Sequence, residues 1–182
     1  PAQTLEASLR WRPETTLRLL SIGRLTYYKG FETLISAVAS LPGVELLIAG
    51  NGELRETLQA QIDSVTSLGS PPATRLLGSV DDGQKHSLLE QCDLFCLASR
   101  ERTEAFGMVL LEAMQRAKPC LVTDLPGSGM PWVVSHAQCG LHVPFEDLDA
   151  WRSAIARLQH DPALRARLGQ SGHKALQKHF SI

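Results

Sequence analysis

The sequence has no long apolar run, no strong net charge and few aromatic residues, and each absence narrows the class of protein. No apolar stretch approaches the ~18 residues that a membrane-spanning helix requires. The 182 residues carry 18 Lys and Arg against 19 Asp and Glu, and this balance argues against a general nucleic-acid binder. Apolar residues still make up 43% of the chain, enough to build the core of an ordinary globular domain.

Cysteine and histidine are too scattered to predict a metal centre. Four cysteines lie in or beside apolar segments: Cys92, Cys96, Cys120 and Cys139. Their spacing fits neither a zinc site nor a disulfide framework, so we expect buried, reduced thiols of the kind found in cytoplasmic proteins. None of the six histidines forms a pair with the helical spacing of metal ligands. We therefore expect no metal site.

Short apolar segments alternate with amphipathic ones along most of the chain. The predicted strands cover residues 17–22, 44–49, 75–77, 94–98, 118–123 and 140–143. The predicted helices cover residues 31–40, 53–66, 82–91, 108–116, 148–159 and 162–179. This alternation predicts an α/β fold, a Rossmann-like parallel sheet with helices on both faces. We expect residues 1–16 to be a lead-in and residues 17–182 to form the domain, with ligands bound where the strands end.

The stretch from Glu104 to Glu112 places two carboxylates on either side of a helix start. Phe106, Gly107 and Met108 offer backbone N–H groups at that start, where the helix dipole favours an anion such as a phosphate. A carboxylate beside an anion site is better suited to accept hydrogen bonds from sugar hydroxyls. The stretch therefore predicts a nucleotide-sugar site.

The loop after the first predicted strand carries two cations. Arg24 follows Gly23 directly, and Lys29 comes five residues later. Arg offers a planar fork of donors and Lys a point charge, so the two can converge on one diphosphate. An ordinary loop with two exposed cations is the alternative.

Three further loops at predicted strand ends allow more than one interpretation. Gly50 and Gly52 permit a tight turn and close backbone approach, but Arg55 occupies the third position of a dinucleotide fingerprint, so a structural role is favoured. The acids at 81 and 82 are better explained as helix caps than as metal ligands. The glycines at 127 and 129 are consistent either with a ligand loop or with a helix entry.

Taken together, these loops resemble the carboxyl-terminal domain of a retaining glycosyltransferase of family four, the "group one" family with the GT-B fold. The resemblance covers about residues 17–180. It rests on the ordered set Gly23-Arg24…Lys29-Gly30, Gly50-Asn51-Gly52, Gly78 with Val80, and Glu104-Ala-Phe-Gly…Glu112.

The resemblance implies a role for each matching position. Arg24 and Lys29 would grip the donor diphosphate and stabilise the leaving nucleotide, so they are the catalytic candidates together with Glu104, which would hold donor-sugar hydroxyls. Glu112 would accept hydrogen bonds from the ribose. The remaining donor contacts would come from the strand-end loops and the helix start, at Gly23, Gly50, Gly78, Val80, Phe106, Gly107, Met108 and Val109. Enzymes of this family need no metal ion or other cofactor, because cationic side chains and the helix terminus replace it.

This chain departs from the family pattern at Trp132, where many members carry a glutamate. The surrounding sequence is similar to a branch of bacterial polysaccharide and O-antigen assembly that uses GDP-linked mannose- or rhamnose-type donors. The resemblance also implies a separate amino-terminal domain for a glycan or lipid-linked acceptor. We expect this chain alone to bind nucleotide weakly and to transfer no sugar.

Two alternatives remain open on the sequence, a nucleotide-binding regulatory module and a nucleotide-sugar hydrolase or epimerase. For the whole protein we expect a cytoplasmic location, with the inner face of the plasma membrane as the sharper alternative. The membrane alternative rests on residues 150–182, which hold six Lys and Arg and one Asp. A solvated helical face is the favoured explanation of this basic segment, and a contact with another domain or with an anionic membrane surface is the sharper alternative.

Overall fold

A computed structural model describes residues 6–101 and 108–179, and within them the chain forms one parallel sheet covered by helices. The strands are Leu17–Ile22 (β1), Val44–Ala49 (β2), Thr74–Gly78 (β3), Leu94–Leu97 (β4), Cys120–Asp124 (β5) and Gly140–Pro144 (β6). The helices are Phe31–Ala39 (α1), Arg55–Val65 (α2), Asp82–Gln91 (α3), Met108–Gln115 (α4), Gly129–Ala137 (α5), Leu148–His160 (α6) and Pro162–His179 (α7). Short 3₁₀ turns occur at Ala7–Leu9 and Tyr27–Lys29.

The strand order is β3-β2-β1-β4-β5-β6, and every pair of neighbours is parallel. The predicted Rossmann-like sheet is therefore confirmed. All six residues of β2 are buried, as expected for a central strand covered on both faces. The order reverses between β1 and β4, which makes the carboxyl ends of these two strands the expected ligand position in such a sheet.

Alternate side chains of the strands enter two separate cores. Leu19 and Leu46 join the cluster that α1, α2 and α6 cover, whereas Leu20 and Leu47 join the cluster under α3, α4 and α5. Burial within the helices follows the helical period. In α1, for example, Phe31, Leu34, Ile35 and Val38 are buried.

The segment before β1, predicted as a lead-in, packs against the domain. Trp11 is 7% exposed, and its indole N–H donates to the carbonyl of Leu19 at 3.2 Å. Glu45 is fully buried on β2 and accepts hydrogen bonds from the Arg12 backbone N–H at 2.8 Å and from the Thr15 hydroxyl at 2.7 Å. The Arg75 guanidinium also pairs with this carboxylate at 3.1 Å, so a buried charge ties the segment to the sheet.

Two strand ends that the sequence left ambiguous are helix entries. Asp81 caps α3, because its carboxylate accepts from the Gln84 backbone N–H at 2.7 Å and the Gln84 side chain accepts from the Asp81 N–H at 2.9 Å. This confirms the cap interpretation for Asp81, whereas Asp82 is the first residue of the helix. Ser128 caps α5 through a 3.4 Å contact with the Met130 N–H, and α5 begins at Gly129, which is the helix-entry alternative for the glycines at 127 and 129.

Candidate active site

Three of the predicted loops are neighbours at the carboxyl edge of the sheet, the edge where β1–β6 end. The backbone N–H of Gly23 donates to the carbonyl of Ala49 at 3.0 Å, and the N–H of Gly50 donates to that of Gly78 at 2.8 Å. The ends of β1, β2 and β3 are therefore joined by direct backbone hydrogen bonds. A ligand at this edge would meet all three loops.

Gly50 and Gly52 are required by the close approach of these loops. Gly50 has φ +140°, and a Cβ added there would lie 1.9 Å from the Gly23 carbonyl oxygen. A Cβ at Gly52 would lie 2.6 Å from the carbonyl oxygen of Leu25. No real side chain tolerates these distances, so the structural role favoured by the sequence accounts for both glycines.

Arg24 lies on the open side of this edge. Its side chain is 71% exposed, and its Nε is 3.8 Å from Oε2 of Glu53, which is 60% exposed. Both residues line an open cavity of about 360 Å³ together with Asn51 and Gly52. Exposed pairs of this kind contribute only about 0–1 kcal/mol, so an anionic ligand can displace Glu53 at little cost.

Lys29, the last residue of the Tyr27–Lys29 turn, packs against Gly23, the residue before Arg24. Its Cε would be 3.2 Å and its Nζ 3.5 Å from a Cβ built on Gly23, so the lysine chain lies directly over that glycine. The Nζ is also 5.5 Å from the centre of the Tyr28 ring. Burial lowers the pKa of Lys29, because water is partly withdrawn from its charged form. Both predicted cations thus lie in the loop that begins at Gly23, Arg24 exposed and Lys29 half-buried over the glycine.

Glu112 lies in the second turn of α4 and carries a partner that the sequence did not reveal. Lys85 on α3 places its Nζ 3.2 Å from Oε1 and 3.1 Å from Oε2 of Glu112. Both side chains are about one-fifth exposed, at 23% and 22%. Among the described residues, Oε2 accepts no hydrogen bond although it is buried. The pair therefore fixes the carboxylate while leaving one oxygen with acceptor capacity.

Lys85 lies one helical turn after Asp81, within the α3 helix that follows Gly78. A basic residue three positions inside a helix that starts at the ligand edge is the one sequence feature that could have suggested it. Gly78 itself has φ +74°, and the guanidinium of Arg55 would lie 3.0 Å from a Cβ there. Val80 is half-buried and packs against the second core, the one under α3, α4 and α5.

The middle of the 104–112 stretch lies outside the described residues. Glu104, Phe106 and Gly107 belong to that part, so their predicted roles remain predictions. Met108 begins α4 and is 70% exposed, whereas Val109 is half-buried against the second core. Within the described residues, α4 thus begins at Met108, where the sequence predicted a helix.

The other predicted chemistry follows the burial of the side chains. The four cysteines are buried free thiols, as expected. Burial raises the pKa of Cys92 to about 12 and raises the pKa of Cys96 as well, which makes both thiols poor nucleophiles. Within residues 6–101 and 108–179, no group of three or more His, Cys, Asp or Glu side chains could hold a metal ion. No helix in those same ranges is long and apolar enough to cross a membrane.

A parallel sheet whose carboxyl edge combines cations, tight glycine turns and a fixed carboxylate defines a Rossmann-like ligand-binding domain. A family model described as "Glycosyl transferases group 1" matches residues 9–175, and the chain belongs to that family. The resemblance inferred from the loop motifs is therefore confirmed.

Individual relatives agree with this assignment. The chain is 36% identical over 163 residues to the lipopolysaccharide core biosynthesis glycosyltransferase LpsE of Rhizobium meliloti, covering 90% of the chain and 45% of LpsE. It is 32% identical to the D-rhamnosyltransferase WbpZ of Pseudomonas aeruginosa, covering 94% of the chain and 44% of WbpZ. Its structure matches sucrose-phosphate synthase from Thermosynechococcus elongatus with a TM-score of 0.80 and 27% identity, over 93% of this chain and 43% of that one. The chain thus spans about half the length of these relatives.

Proposed function

We propose that this chain is the donor-binding domain of a glycosyltransferase, and that the whole protein transfers a sugar from a nucleotide-diphospho-sugar to a glycan or lipid-linked acceptor. The observation that carries the proposal is the position of Lys29 over Gly23, the residue directly before Arg24, at the strand end where the sheet order reverses. Two cations at that position suit a diphosphate, and membership of the glycosyl transferase family supplies the reaction class.

In this proposal the two cations divide the work on the diphosphate. Exposed Arg24 exchanges Glu53 for a phosphate oxygen when the donor enters. Half-buried Lys29 holds its charge where screening by water is weaker, so it stabilises the negative charge that develops on the leaving nucleotide. No bound metal ion is needed for this step, because the cations and the start of α4 supply the positive potential.

The remaining donor groups are assigned around the same edge. Glu112 accepts hydrogen bonds from the ribose hydroxyls, with Lys85 holding the carboxylate. Backbone near Gly78 and Val80 contacts the nucleobase. Glu104 holds donor-sugar hydroxyls, together with the backbone from Phe106 to Val109.

The finer parts of the proposal draw on the family resemblance and on the names of the relatives. From the resemblance we infer a GDP-linked mannose- or rhamnose-type donor and transfer with retention of configuration, and the D-rhamnosyltransferase among the relatives is in line with a rhamnose-type donor. A lipid-linked acceptor in lipopolysaccharide assembly agrees with the name of LpsE. Such an acceptor would bring the whole protein to the inner face of the plasma membrane.

Calorimetric titration of the 182-residue chain with GDP, UDP and ADP tests the proposal directly. We expect saturable binding that is tightest for GDP and unchanged by a chelator. Lys29→Ala should weaken it by about 1.5–3 kcal/mol, the usual worth of a hydrogen bond to a charged group. Lys174→Ala, an exposed lysine on α7, is the matched control and should leave the affinity unchanged.

Two outcomes would contradict the proposal. A folded chain that binds none of the three diphosphates would argue against a donor domain. Equal affinity of the wild type and Lys29→Ala would remove Lys29 from the site. Tighter binding of UDP or ADP would keep the donor domain and overturn only the choice of GDP.

A further inference from the structure

Arg100 contacts the lysine-bearing turn in a way that the proposed donor site does not yet use. It follows β4 and precedes the part of the chain that is not described. Its backbone N–H donates to the carbonyl of Tyr28 at 2.7 Å. Its guanidinium lies 4.8 Å from the centre of the Tyr27 ring, a cation–π distance. Arg100 therefore contacts both residues that precede Lys29, Tyr28 through its backbone N–H and Tyr27 through its side chain.

The guanidinium is also anchored on its far side. Its Nη2 lies 3.4 Å from Oε2 of Glu32 in the first turn of α1, and the two side chains are 16% and 27% exposed. Among the described residues, Nε of Arg100 and Oε2 of Glu32 are buried and take part in no hydrogen bond. Their charges are thus balanced by each other and by the ring, in a region that water reaches poorly.

The turn itself is short. Tyr27–Lys29 is a 3₁₀ turn of three residues, and no side chain caps its start at Thr26. Such short turns depend on tertiary contacts for their position, because their own hydrogen bonds are few and poorly aligned. Two such contacts come from residues that follow β4. Arg100 makes one of them, and in the other Gly30 lies so close to Ala98 that an added Cβ would be 1.9 Å from the Ala98 carbonyl oxygen.

We infer that Arg100 is a positioning residue that fixes the Tyr27–Lys29 turn, and thereby the Lys29 ammonium group, against the end of β4. The inference rests on the proposed function, since it assigns Lys29 to the donor diphosphate. It further assigns Tyr27 a defined part, that of the flat surface on which the guanidinium stacks. Lysine cannot replace arginine in this role, because an ammonium group has neither the planar face nor the fork of donors.

A double-mutant cycle on nucleoside diphosphate affinity tests this coupling. The four proteins are the wild type, Arg100→Ala, Lys29→Ala and the double variant, titrated with the diphosphate that the wild type binds best. We expect Arg100→Ala to weaken binding by roughly tenfold, within the range of coupling between contacting residues. In the Lys29→Ala background the same change should alter affinity by less than about twofold, because the group that Arg100 positions is already gone.

Two further variants separate positioning from folding. Arg100→Lys keeps the charge and should bind nearly as weakly as Arg100→Ala. Tyr27→Leu removes an exposed ring without opening the core, and it should weaken binding in the same direction. Arg152→Ala breaks an arginine pair with Asp149 at 3.3 Å on α6 and serves as the matched control with unchanged affinity.

Each contrary result has its own meaning. Arg100→Ala that lowers the melting temperature but keeps the affinity would show a purely structural role and overturn the inference. Additive losses in the double variant, or full rescue by Arg100→Lys, would do the same. Absence of binding by the folded wild type would instead refute the proposed function from which the inference starts.

Discussion

The assignment of Glu112 to the ribose can be tested by removing its charge while keeping its shape. Glu112→Gln retains the volume and one carbonyl acceptor, but it replaces the second oxygen by an amide donor and leaves Lys85 paired only with the more distant Asp82, at 3.9 Å, among the described residues. We therefore expect the variant to lose most of its preference for ribose over sugars that lack the hydroxyls. The informative quantity is the ratio of affinities for a ribonucleoside diphosphate and its 2′,3′-dideoxy analogue.

The size of the effect follows from the surroundings of Glu112. Its carboxylate is about one-fifth exposed, and Lys85 lies 3.1 Å from Oε2. A hydrogen bond from a hydroxyl to a charged acceptor is worth about 1.5–3 kcal/mol, whereas a neutral acceptor contributes about 0.5–1.5 kcal/mol. The wild type should thus prefer the ribose form by at least about tenfold, and Glu112→Gln should reduce the preference by roughly five- to tenfold.

Competition calorimetry on the same protein preparation gives both affinities, and thermal unfolding reports how far the lost pair with Lys85 destabilises α4. Glu90→Gln is the matched control, because Glu90 is an exposed acid on the neighbouring helix α3. It should leave both affinities unchanged. An undiminished ribose preference in a folded Glu112→Gln protein would refute the assignment of this carboxylate.

The remaining predictions concern Lys29 and Gly30. Burial lowers the pKa of Lys29, and a diphosphate favours its charged form, so binding should take up protons at alkaline pH and affinity should fall as pH rises through this pKa. Calorimetry in buffers of different ionisation heat measures the uptake, and persistence of the uptake in Lys29→Ala would exclude Lys29 as its source. Without diphosphate, unfolded Lys29 binds more protons than folded Lys29 over the same pH interval, so the contribution of Lys29 to the free energy of unfolding should increase with pH. Gly30→Ala should lower the free energy of unfolding by about 3 kcal/mol or more, because the new Cβ would collide with the Ala98 carbonyl. Gly69→Ala is the control, since Gly69 also has positive φ but no atom within 4 Å of an added Cβ, and it should cost only about 1 kcal/mol of backbone strain. Chemical denaturation measures both losses, and similar values would show that the contact with Ala98 does not matter.

The fold was largely predictable because local patterns and the final topology agree. The segments at 44–49 and 94–97, apolar except for Glu45, indicate strands buried on both faces, and the intervening amphipathic segments indicate the helices that cover them. Strand ends marked by Gly23, Gly50 and Gly78 placed the loops at one edge. Helix α5 was only one of two alternatives, since Gly129 and Pro131 at its start are weak helix formers, and the cap at Ser128 together with burial of Val133 and Val134 decides the outcome.

The site was predictable only where the functional groups lie near each other in sequence. Arg24 and Lys29 belong to one loop, so their placement at a single strand end followed from the sequence. Lys85 reaches Glu112 from another helix, and Arg100 reaches the Tyr27–Lys29 turn from another strand. Such contacts depend on the strand order and on helix packing, and no spacing along the chain encodes them.

Three of the cations described above are each matched by a carboxylate. The pairs are Arg24–Glu53, Lys85–Glu112 and Arg100–Glu32. Exposure separates them, because only the first pair is largely open to water, and its separation of 3.8 Å adds little stability. In the proposed complex a diphosphate would therefore replace Glu53 at Arg24, while the two better-buried pairs would keep Glu112 and the Tyr27–Lys29 turn in place. The near-neutral charge of the chain is thus compatible with anion binding, since Arg24, one of the two cations proposed to bind the diphosphate, has the internal partner that is held least.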